Sequence, residues 1–580
     1  MRRVWIFLIT GMCAAWGQSV TRHEALQQQV RSGTITPLEA LYSEALHMAG
    51  ESDAALKDAE YLPERCGFGL RHRVRQAWHD FSPAQRKVLA PAFARPSLPE
   101  HHISSEGRFR IHYTLTGWDA VSAEDLTGSG VPDWVEETAA AMERSYAVQV
   151  TQLGLQPPPP DPVDGPEWDV YILDIDAWGY YGWTDHDVRV TRNPDTYTSY
   201  ITLDNDYALT LTKGLDGMRV TAAHEFNHMI QLGYHGRYDV QDGFWDDLFM
   251  MEASSTWMED VVYDDINDYY YYLDSFFMNS NKAFNHVGNL REYGLCIWFH
   301  FLEKHLGGRG FFVNLWENIV DFPALPAMEH TLRRAGTSLD REIPRFYAWN
   351  VMTGSRADTV RYYPEGKHYP ETALDSALVL ADPTEIDSAI RSTAARYYRL
   401  ETGDGTEIFA VPVNVNWNFD AISERFVLKL SSASDFLNTR LTNQWYAALE
   451  TDDFMRWRST LVLRAPGEET DFIELAGVRS GLTQDDLVSC YPNPHVWSEH
   501  ELYPVTIPFI LKNPGRVRLV VTSVSGFVVE DREEFFNRGL HQFEWNVNRT
   551  GGSGAASGIY VIRLFREGKL LRQEKAAVIR

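Results

Sequence analysis

The sequence has few cysteines and no excess of positive charge. Since the first of its four cysteines lies in an N-terminal stretch that we expect to be removed, an odd number remains, which argues against a disulfide framework. The formal net charge of -27 argues against nucleic acid and anionic membrane surfaces as partners, because both are bound by basic faces. An acidic composition of this kind suits a soluble extracellular protein.

Long apolar runs are also missing. Beyond the N-terminus no stretch reaches the roughly 20 apolar residues that a bilayer span needs, so we expect no transmembrane segment. The N-terminus itself has two arginines, then the apolar run Val4–Ile9, then small residues up to Gly17. This order predicts a secretory signal peptide over residues 1–17, because the apolar run is too short for the alternative, a membrane anchor.

The remaining chain changes character twice, which predicts a multidomain protein. Residues 18–100 are polar with helical patches, and Thr36 and Pro37 suit the N-cap and first position of one helix; we expect a helical pro-region. Residues 105–370 carry strand patterns followed by helical patterns, which is typical of an α+β domain. Short β patterns then predict a β-sandwich over residues 371–480 and a second all-β, Ig-like domain over residues 490–580. The strand patterns of the α+β domain lie at 108–113, 168–173 and 199–203, and its helical patterns at 133–146, 217–235, 248–263 and 288–306.

The segment from His224 to His228 reads His-Glu-Phe-Asn-His. Residues four apart share one face of a helix, so the two histidines can present their imidazoles to one metal ion. The flanking residues are mostly apolar, and polar groups in a buried helix need a partner. Zinc is the ion that this motif predicts, with Glu225 placed to take a proton from a water molecule.

The third metal ligand has two candidates, because no third histidine follows His228 at the spacing of the three-histidine pattern. Glu252 stands among apolar and small residues, which would allow a second helix to pack closely against the first. Glu259 is the alternative, but with Asp260 it looks like a solvated pair. We therefore favour Glu252 over Glu259.

The His-Glu-x-x-His motif, followed by Glu252-Ala253-Ser254-Ser255, resembles the gluzincin metallopeptidases. The similarity is greatest to the hyicolysin-like neutral peptidases and to uncharacterised secreted bacterial relatives, and it covers roughly residues 105–355. In this chain Met251 and Ala253 stand where those peptidases usually have asparagine and glycine. The resemblance implies a zincin-like domain, a zinc-dependent endopeptidase that acts on proteins or peptides, and Glu225 as its general base.

The resemblance also implies an oxyanion donor, usually a tyrosine or histidine. Tyr293 is our candidate for this catalytic role, with an ordinary packing tyrosine as the alternative; Tyr234 and His235 are further candidates. We also expect the strand pattern at Tyr200–Leu203 to form a sheet edge that pairs with an extended substrate. The tyrosine run Tyr269–Tyr272 is more typical of core or cleft wall than of a cofactor site.

Two further motifs leave alternatives open. The acidic, glycine-containing loop Asp125–Asp133, with Asp119 and Glu124 nearby, resembles a calcium loop, but it lacks EF-hand spacing and also fits a simple loop before a capped helix. Cys66, in the expected pro-region, could cap the zinc as a thiolate and keep a zymogen silent. Its alternatives are a buried thiol or a disulfide to Cys296 or Cys490.

The last 90 residues contain, in order, Tyr491–Pro494, Val521–Gly526, Trp545-Asn546 and Ser557–Val561. This order is similar to the C-terminal sorting domains of the type IX secretion system, in which a tryptophan would fill a sandwich core. The resemblance implies the secretion machinery as a partner and a location outside, or on the surface of, a Gram-negative bacterium. The alternative for this domain is a plain Ig-like accessory module, and the alternative for the whole protein is a non-catalytic surface adhesion or scaffold protein.

Overall fold

The structure is a computed structural model of the 580-residue chain. The residues it describes are 20–51, 61, 64–192, 195–236, 240–241, 244–245, 247–379, 384–401, 407–415, 424–432, 445–451, 459–464, 475–476, 495–496, 504–511, 515–524, 526–536, 539–547 and 555–579. The expected signal peptide, Cys490 and Tyr491–Pro494 lie outside the described residues. The described residues form two compact units, the first comprising residues up to Met278, Asn285–Thr331 and His368–Pro370, and the second comprising the remainder.

Short helices dominate the first hundred residues. They are α1 (Arg22–Arg31), α2 (Pro37–Met48), α3 (Phe68–Gln76) and α4 (Pro83–Leu89). Thr36 caps α2 and forms a reciprocal capping box with Glu39, and Pro37 occupies the first turn, as predicted. These elements belong to the first compact unit, together with the sheet that follows.

Glu44 joins three of these helices. Its carboxylate, buried on α2, accepts hydrogen bonds from His23 on α1 at 2.9 Å and from Arg73 on α3 at 2.6 Å. Burial opposes ionisation, but Arg73 and His23 outweigh it and lower the pKa of Glu44 to about 2. The packing of the helices therefore depends on an ionised carboxylate.

A six-stranded sheet lies at the centre of the first unit, with strand order β1-β5-β6-β4-β3-β2. Strands β3, β4 and β6 run parallel, whereas β5 pairs antiparallel with β6 and β2 antiparallel with β3. The strands are β1 (Arg65–Cys66), β2 (Glu100–Ile103), β3 (Phe109–Tyr113), β4 (Trp168–Leu173), β5 (Tyr180–Arg192) and β6 (Asp195–Asp204). All three predicted strands are present, but the expectation that Tyr200–Leu203 forms a sheet edge is wrong: β6 lies between β4 and β5.

Helices cover this sheet and carry the motif. The predicted segments become α5 (Asp133–Tyr146), α6 (Gly214–Tyr234) and α7 (Leu248–Val262). Phe226, at a non-ligand position of the motif, packs edge-on against Phe109 of β3 with ring centroids 5.6 Å apart. Since Phe226 lies two positions from both His224 and His228, it faces the sheet while the histidines share another face.

The remaining helices differ partly from expectation. They are α8 (Tyr270–Met278), α9 (Arg291–Gly294), α10 (Ile297–Leu306), α11 (Gly310–Ile319), α12 (Ala324–Arg334) and α13 (Leu339–Trp349). Two helices, α9 and α10, stand where one helix was expected over residues 288–306. The other four of this set were not predicted. Two short antiparallel strands, β7 (Val240–Gln241) and β8 (Phe244–Trp245), precede α7. No helix in the described part of the chain is both long and apolar enough to cross a bilayer.

After residue 370 the described elements are β-strands, mostly antiparallel, as expected for a chain that ends in all-β regions. The first group forms sheets in the orders β10-β13-β14 and β16-β15-β12-β11-β9. Its strands are β9 (Ser376–Val379), β10 (Thr384–Ile390), β11 (Tyr398–Glu401), β12 (Glu407–Asn414), β13 (Glu424–Ser432), β14 (Trp445–Thr451), β15 (Ser459–Arg464) and β16 (Leu475–Ala476).

The last group encloses one apolar core, to which Trp545 contributes a fully buried ring, as predicted. Its sheets have the orders β17-β23-β22-β19-β20 and β18-β21, and residues of both enter that core. The strands are β17 (His495–Val496), β18 (Val505–Leu511), β19 (Gly515–Ser523), β20 (Val528–Phe536), β21 (Gly539–Trp545), β22 (Gly558–Arg566) and β23 (Lys569–Ile579).

Glu44 generates a prediction about acid stability. Because its pKa falls from 4.5 to about 2 on folding, its contribution is complete above pH 4.5 and is lost as the pH falls from there towards 2. We expect Glu44→Gln to lower the free energy of unfolding at pH 7 by on the order of 3 kcal/mol. The variant should also lose less stability than the wild type over that pH range, measured by thermal melts of both proteins. Parallel pH curves would contradict the assignment.

Candidate metal centre

Three potential ligand atoms converge between α6 and α7. His224 Nε2 lies 3.1 Å from His228 Nε2 and 3.2 Å from Glu252 Oε2, and the latter two atoms are 3.5 Å apart. A tetrahedral zinc ion with bonds of about 2.0–2.1 Å would separate any two of its ligand atoms by about 3.3 Å. The three side chains therefore fit one zinc ion without rearrangement.

The close packing of α7 on α6 places Glu252 there. Small residues follow Glu252, and Ala253, Ser254 and Ser255 are all fully buried. Gln231 of α6 lies within hydrogen-bonding distance of both serine hydroxyls, at 3.1 and 3.0 Å. A longer side chain at these positions would hold the two helices further apart and remove Glu252 from the histidines.

The other nitrogen of each histidine has its own acceptor. His224 Nδ1 lies 2.7 Å from Glu259 Oε1, and His228 Nδ1 lies 2.7 Å from Gln231 Oε1. Because a carboxylate accepts, the N–H of His224 Nδ1 donates to Glu259, and Nε2 is the nitrogen that would bind a metal. Glu259 thus supports a ligand from behind, and the expectation that Glu259 and Asp260 are solvated is wrong, since both are buried.

The electrostatics of the cluster favour a cation. Burial opposes the charge on Glu252, but His228 and His224 lower its pKa to about 2. Burial would likewise lower the pKa of His224, yet Glu252 and Glu259 raise it to about 9. Burial raises the pKa of Glu259 against the opposing effects of Arg65 and His224. Buried carboxylates in this number need positive charge beside them, which a divalent ion supplies.

The Glu225 carboxylate lies beside the three ligand atoms, on the side of α6 that faces β5. Its Oε2 accepts a hydrogen bond of 2.9 Å from the Thr184 hydroxyl of β5. Gly182, two residues before, allows this approach: a Cβ there would lie 2.7 Å from Thr221 Cγ2 and 3.1 Å from Glu225 Cγ. Sequence reasoning missed Thr184 and Gly182 because the β5 segment was not predicted as a strand.

The candidates for the oxyanion donor lie in different places. Tyr293, on α9, is buried near the cluster, with its ring centroid 6.1 Å from that of His224. Its hydroxyl donates to the Glu64 carbonyl oxygen at 3.4 Å. Tyr234 instead packs on Trp316, and its hydroxyl accepts from the Gln156 backbone. His235 caps the C-terminus of α6.

Cys66 lies inside the cluster. Ligand atoms of Cys66, His224, His228 and Glu252 all lie within 4.8 Å of one another, and all four residues are buried. The Cys66 thiol donates to Glu225 Oε1 at 3.2 Å. Cys66 and Cys296 are both free thiols, so a disulfide between them is excluded, while Cys490 lies outside the described residues.

The loop that resembles a calcium site is closed by its own backbone. Asp125 Oδ1 accepts from the backbone N–H groups of Gly128 and Ser129, and its Oδ2 accepts from that of Gly130. Among the residues that the structure describes, Asp174, Asp176 and Asp204 also converge, with Asp204 Oδ1 accepting from the Ile175 N–H and Asp176 Oδ2 from the Leu209 N–H. Calcium binding by Asp125–Asp133 stays a prediction.

No protein-family model matches this chain, and no curated protein matches it.

Gln231 offers a test of the centre that leaves the three ligands intact. Without its amide, His228 loses the acceptor that orients its ring and α7 loses a tie to α6, so Gln231→Ala should weaken zinc affinity about 10- to 100-fold. The measurement is competition with a chromophoric chelator, with exposed Gln152→Ala as the matched control. Equal affinities in both variants would contradict this role for Gln231.

Proposed function

We propose that this protein is a secreted zinc-dependent endopeptidase that hydrolyses peptide bonds in proteins or peptides. His224, His228 and Glu252 would hold the zinc ion, and Glu225 would act as the general base. The observation that carries the proposal is the convergence of three buried ligand atoms, 3.1–3.5 Å apart, directly beside a second buried carboxylate, that of Glu225.

The side chains divide the work as follows. Bound zinc supplies a Lewis acid that polarises the scissile carbonyl and makes water more acidic. Glu225 takes a proton from the attacking water and then delivers it to the leaving amine. Thr184 holds one oxygen of Glu225 and so orients the other towards the reaction. Tyr293, with its phenol at the same site, would donate a hydrogen bond to the developing oxyanion.

The alternative, a scaffold with a non-catalytic zincin-like core, accounts less well for Glu225. A purely structural zinc site has no need of a general base beside its ligands. Here Glu225 is buried, ionisable and held by a dedicated hydroxyl. Keeping such a carboxylate in the interior costs free energy that a structural role does not require.

We also propose that the C-terminal β-domain directs export through the type IX secretion machinery of a Gram-negative bacterium. The support is the order of motifs in residues 490–580, together with the core around Trp545. The signal peptide expected over residues 1–17 would first carry the chain across the inner membrane.

Casein turnover tests the peptidase proposal. The full chain is assayed in two forms, intact and after limited digestion with a serine protease that is then inhibited. We expect casein cleavage that is lost when a chelator removes the metal. Glu225→Gln should bind zinc normally and lose about 100- to 10,000-fold in turnover, because proton transfer is lost while the ligands remain. Exposed Glu124→Gln is the matched control. Turnover that survives both chelation and Glu225→Gln would exclude the mechanism, and zinc binding without turnover in any form would favour the scaffold.

Removal of residues 490–580 tests the export proposal. In a bacterium that has the type IX system, the shortened chain should accumulate in the periplasm, whereas the full chain should reach the cell surface or the medium. Immunoblots of the cell fractions measure this distribution. An unchanged distribution would exclude a sorting role for this domain.

A further inference from the structure

The short strand β1 places Cys66 where a substrate and a water molecule would have to be. We propose that Glu64–Cys66 is an inhibitory plug, in which the Cys66 thiolate is the fourth ligand of the metal and the chain around it blocks the substrate strand position. The inference rests on the proposed peptidase function and concerns the regulation of that site.

Cys66 completes a set of four potential ligands. A catalytic zinc ion has three protein ligands and one open position, whereas a closed site has four. With Cys66, the cluster contains one sulfur, two nitrogens and one oxygen, all mutually within 4.8 Å. Thiolate is a strong zinc ligand, so Cys66 occupies the position that catalysis requires to be open.

The contact between Cys66 and Glu225 provides a route for the thiol proton. The Cys66 thiol donates to Glu225 Oε1 at 3.2 Å. On metal binding, the proton of the S–H bond would pass to this carboxylate and from it to solvent, which would leave the thiolate as a ligand. In the metal-free state the same contact occupies Glu225, the general base.

The strand β1 also covers the edge of the sheet beside the site. β1 pairs parallel with β5 through hydrogen bonds of 3.0 Å from the Arg65 N–H to the Gly179 carbonyl and from the Gly67 N–H to the Gly182 carbonyl. Without β1, β5 would be the edge strand of the sheet. An extended peptide that adds to this edge beside Glu225 must therefore displace β1.

Arg65 anchors the plug. Its guanidinium forms buried ion pairs with Glu259, at 2.5 Å, and with Asp268. It also lies over the Tyr272 ring, 4.5 Å from the centroid. Its backbone is in the left-handed region, with φ of 64°, which is uncommon for a residue with a side chain. Together with the register shift between Arg65 and Cys66, this conformation turns the thiol towards the cluster.

Residues on both sides of Cys66 also occupy the site. Before it, the Glu64 carbonyl accepts the hydrogen bond of Tyr293, the group that we assign to the oxyanion. After it, Phe68 stacks on the His228 ring with centroids 4.0 Å apart. Arg71 of α3 then pairs with buried Asp185 of β5 at 2.6 Å, which fixes the helix that follows the plug. Full activity therefore requires displacement of this whole segment, and loss of the Cys66 ligand alone restores only part of it.

Cobalt substitution tests the ligand assignment without an activity assay. The intact, cobalt-loaded chain should show the near-ultraviolet charge-transfer absorption of a thiolate–cobalt bond. Cys66→Ser should bind the same amount of cobalt without that absorption, while Cys296→Ser, which removes another buried thiol, and Cys490→Ser should retain it. Bound cobalt with no thiolate absorption in the wild type would overturn the inference and leave the peptidase proposal standing. If Cys66→Ser does not fold, a thiolate absorption that is present in the wild type and retained in both Cys296→Ser and Cys490→Ser still identifies Cys66 as the ligand.

Casein turnover tests the inhibitory role. Activity scales with the fraction of molecules whose metal is open, so Cys66→Ser should exceed the intact wild type by about tenfold or more. Cys296→Ser should match the wild type. Equal turnover of Cys66→Ser and intact wild type, with activity appearing only after limited digestion, would overturn the inhibitory role of Cys66. A thiolate–cobalt absorption with no turnover in any form would instead exclude the peptidase proposal.

Discussion

The charge balance between α6 and α7 is the constraint on which the site depends. Three buried carboxylates, on Glu225, Glu252 and Glu259, surround the imidazoles of His224 and His228. Carboxylates in such a place are unfavourable unless cations accompany them. Arg65 supplies one positive charge from outside the two helices, next to Glu259. The remaining negative charge is balanced either by a proton shared among the ligands or by a divalent ion, and the distances between the ligand atoms suit the ion.

The surrounding fold can be understood as the means of keeping these groups together. The sheet supports α6 through Phe226, and β5 brings Thr184 to Glu225. The small residues after Glu252 allow α7 to approach, and Gln231 ties the two helices. Each histidine is then held from behind by its own acceptor, so both rings are oriented before any ion arrives. Preorganisation of this kind favours tight metal binding, because little conformational freedom is lost on loading.

The local patterns predicted much of the first unit and less of its long-range arrangement. The strands at 168–173 and 199–203 and the helices that became α5, α6 and α7 follow from the periodicity of apolar residues. β5 was not predicted as a strand because Asp185, His186 and Arg189 make its sequence polar. In the structure, Arg71 and Arg75 of α3 form ion pairs with Asp185, a contact between segments that are distant in the sequence. The sheet edge was misplaced for the same reason, since without β5 the strand at 200–203 has no neighbour on that side.

The sequence by itself determined the chemistry that is available: two histidines four residues apart, a glutamate between them, and a second glutamate in a segment of small residues. Those are local relations that a helix converts directly into a shared face. Only the tertiary structure decided that Glu252 joins the histidines while Glu259 supports one of them. It also decided that Cys66, 158 residues before His224 in the chain, lies among the ligands. The reason is that contacts between distant segments depend on how strands and helices pack, and spacing along the chain does not encode this.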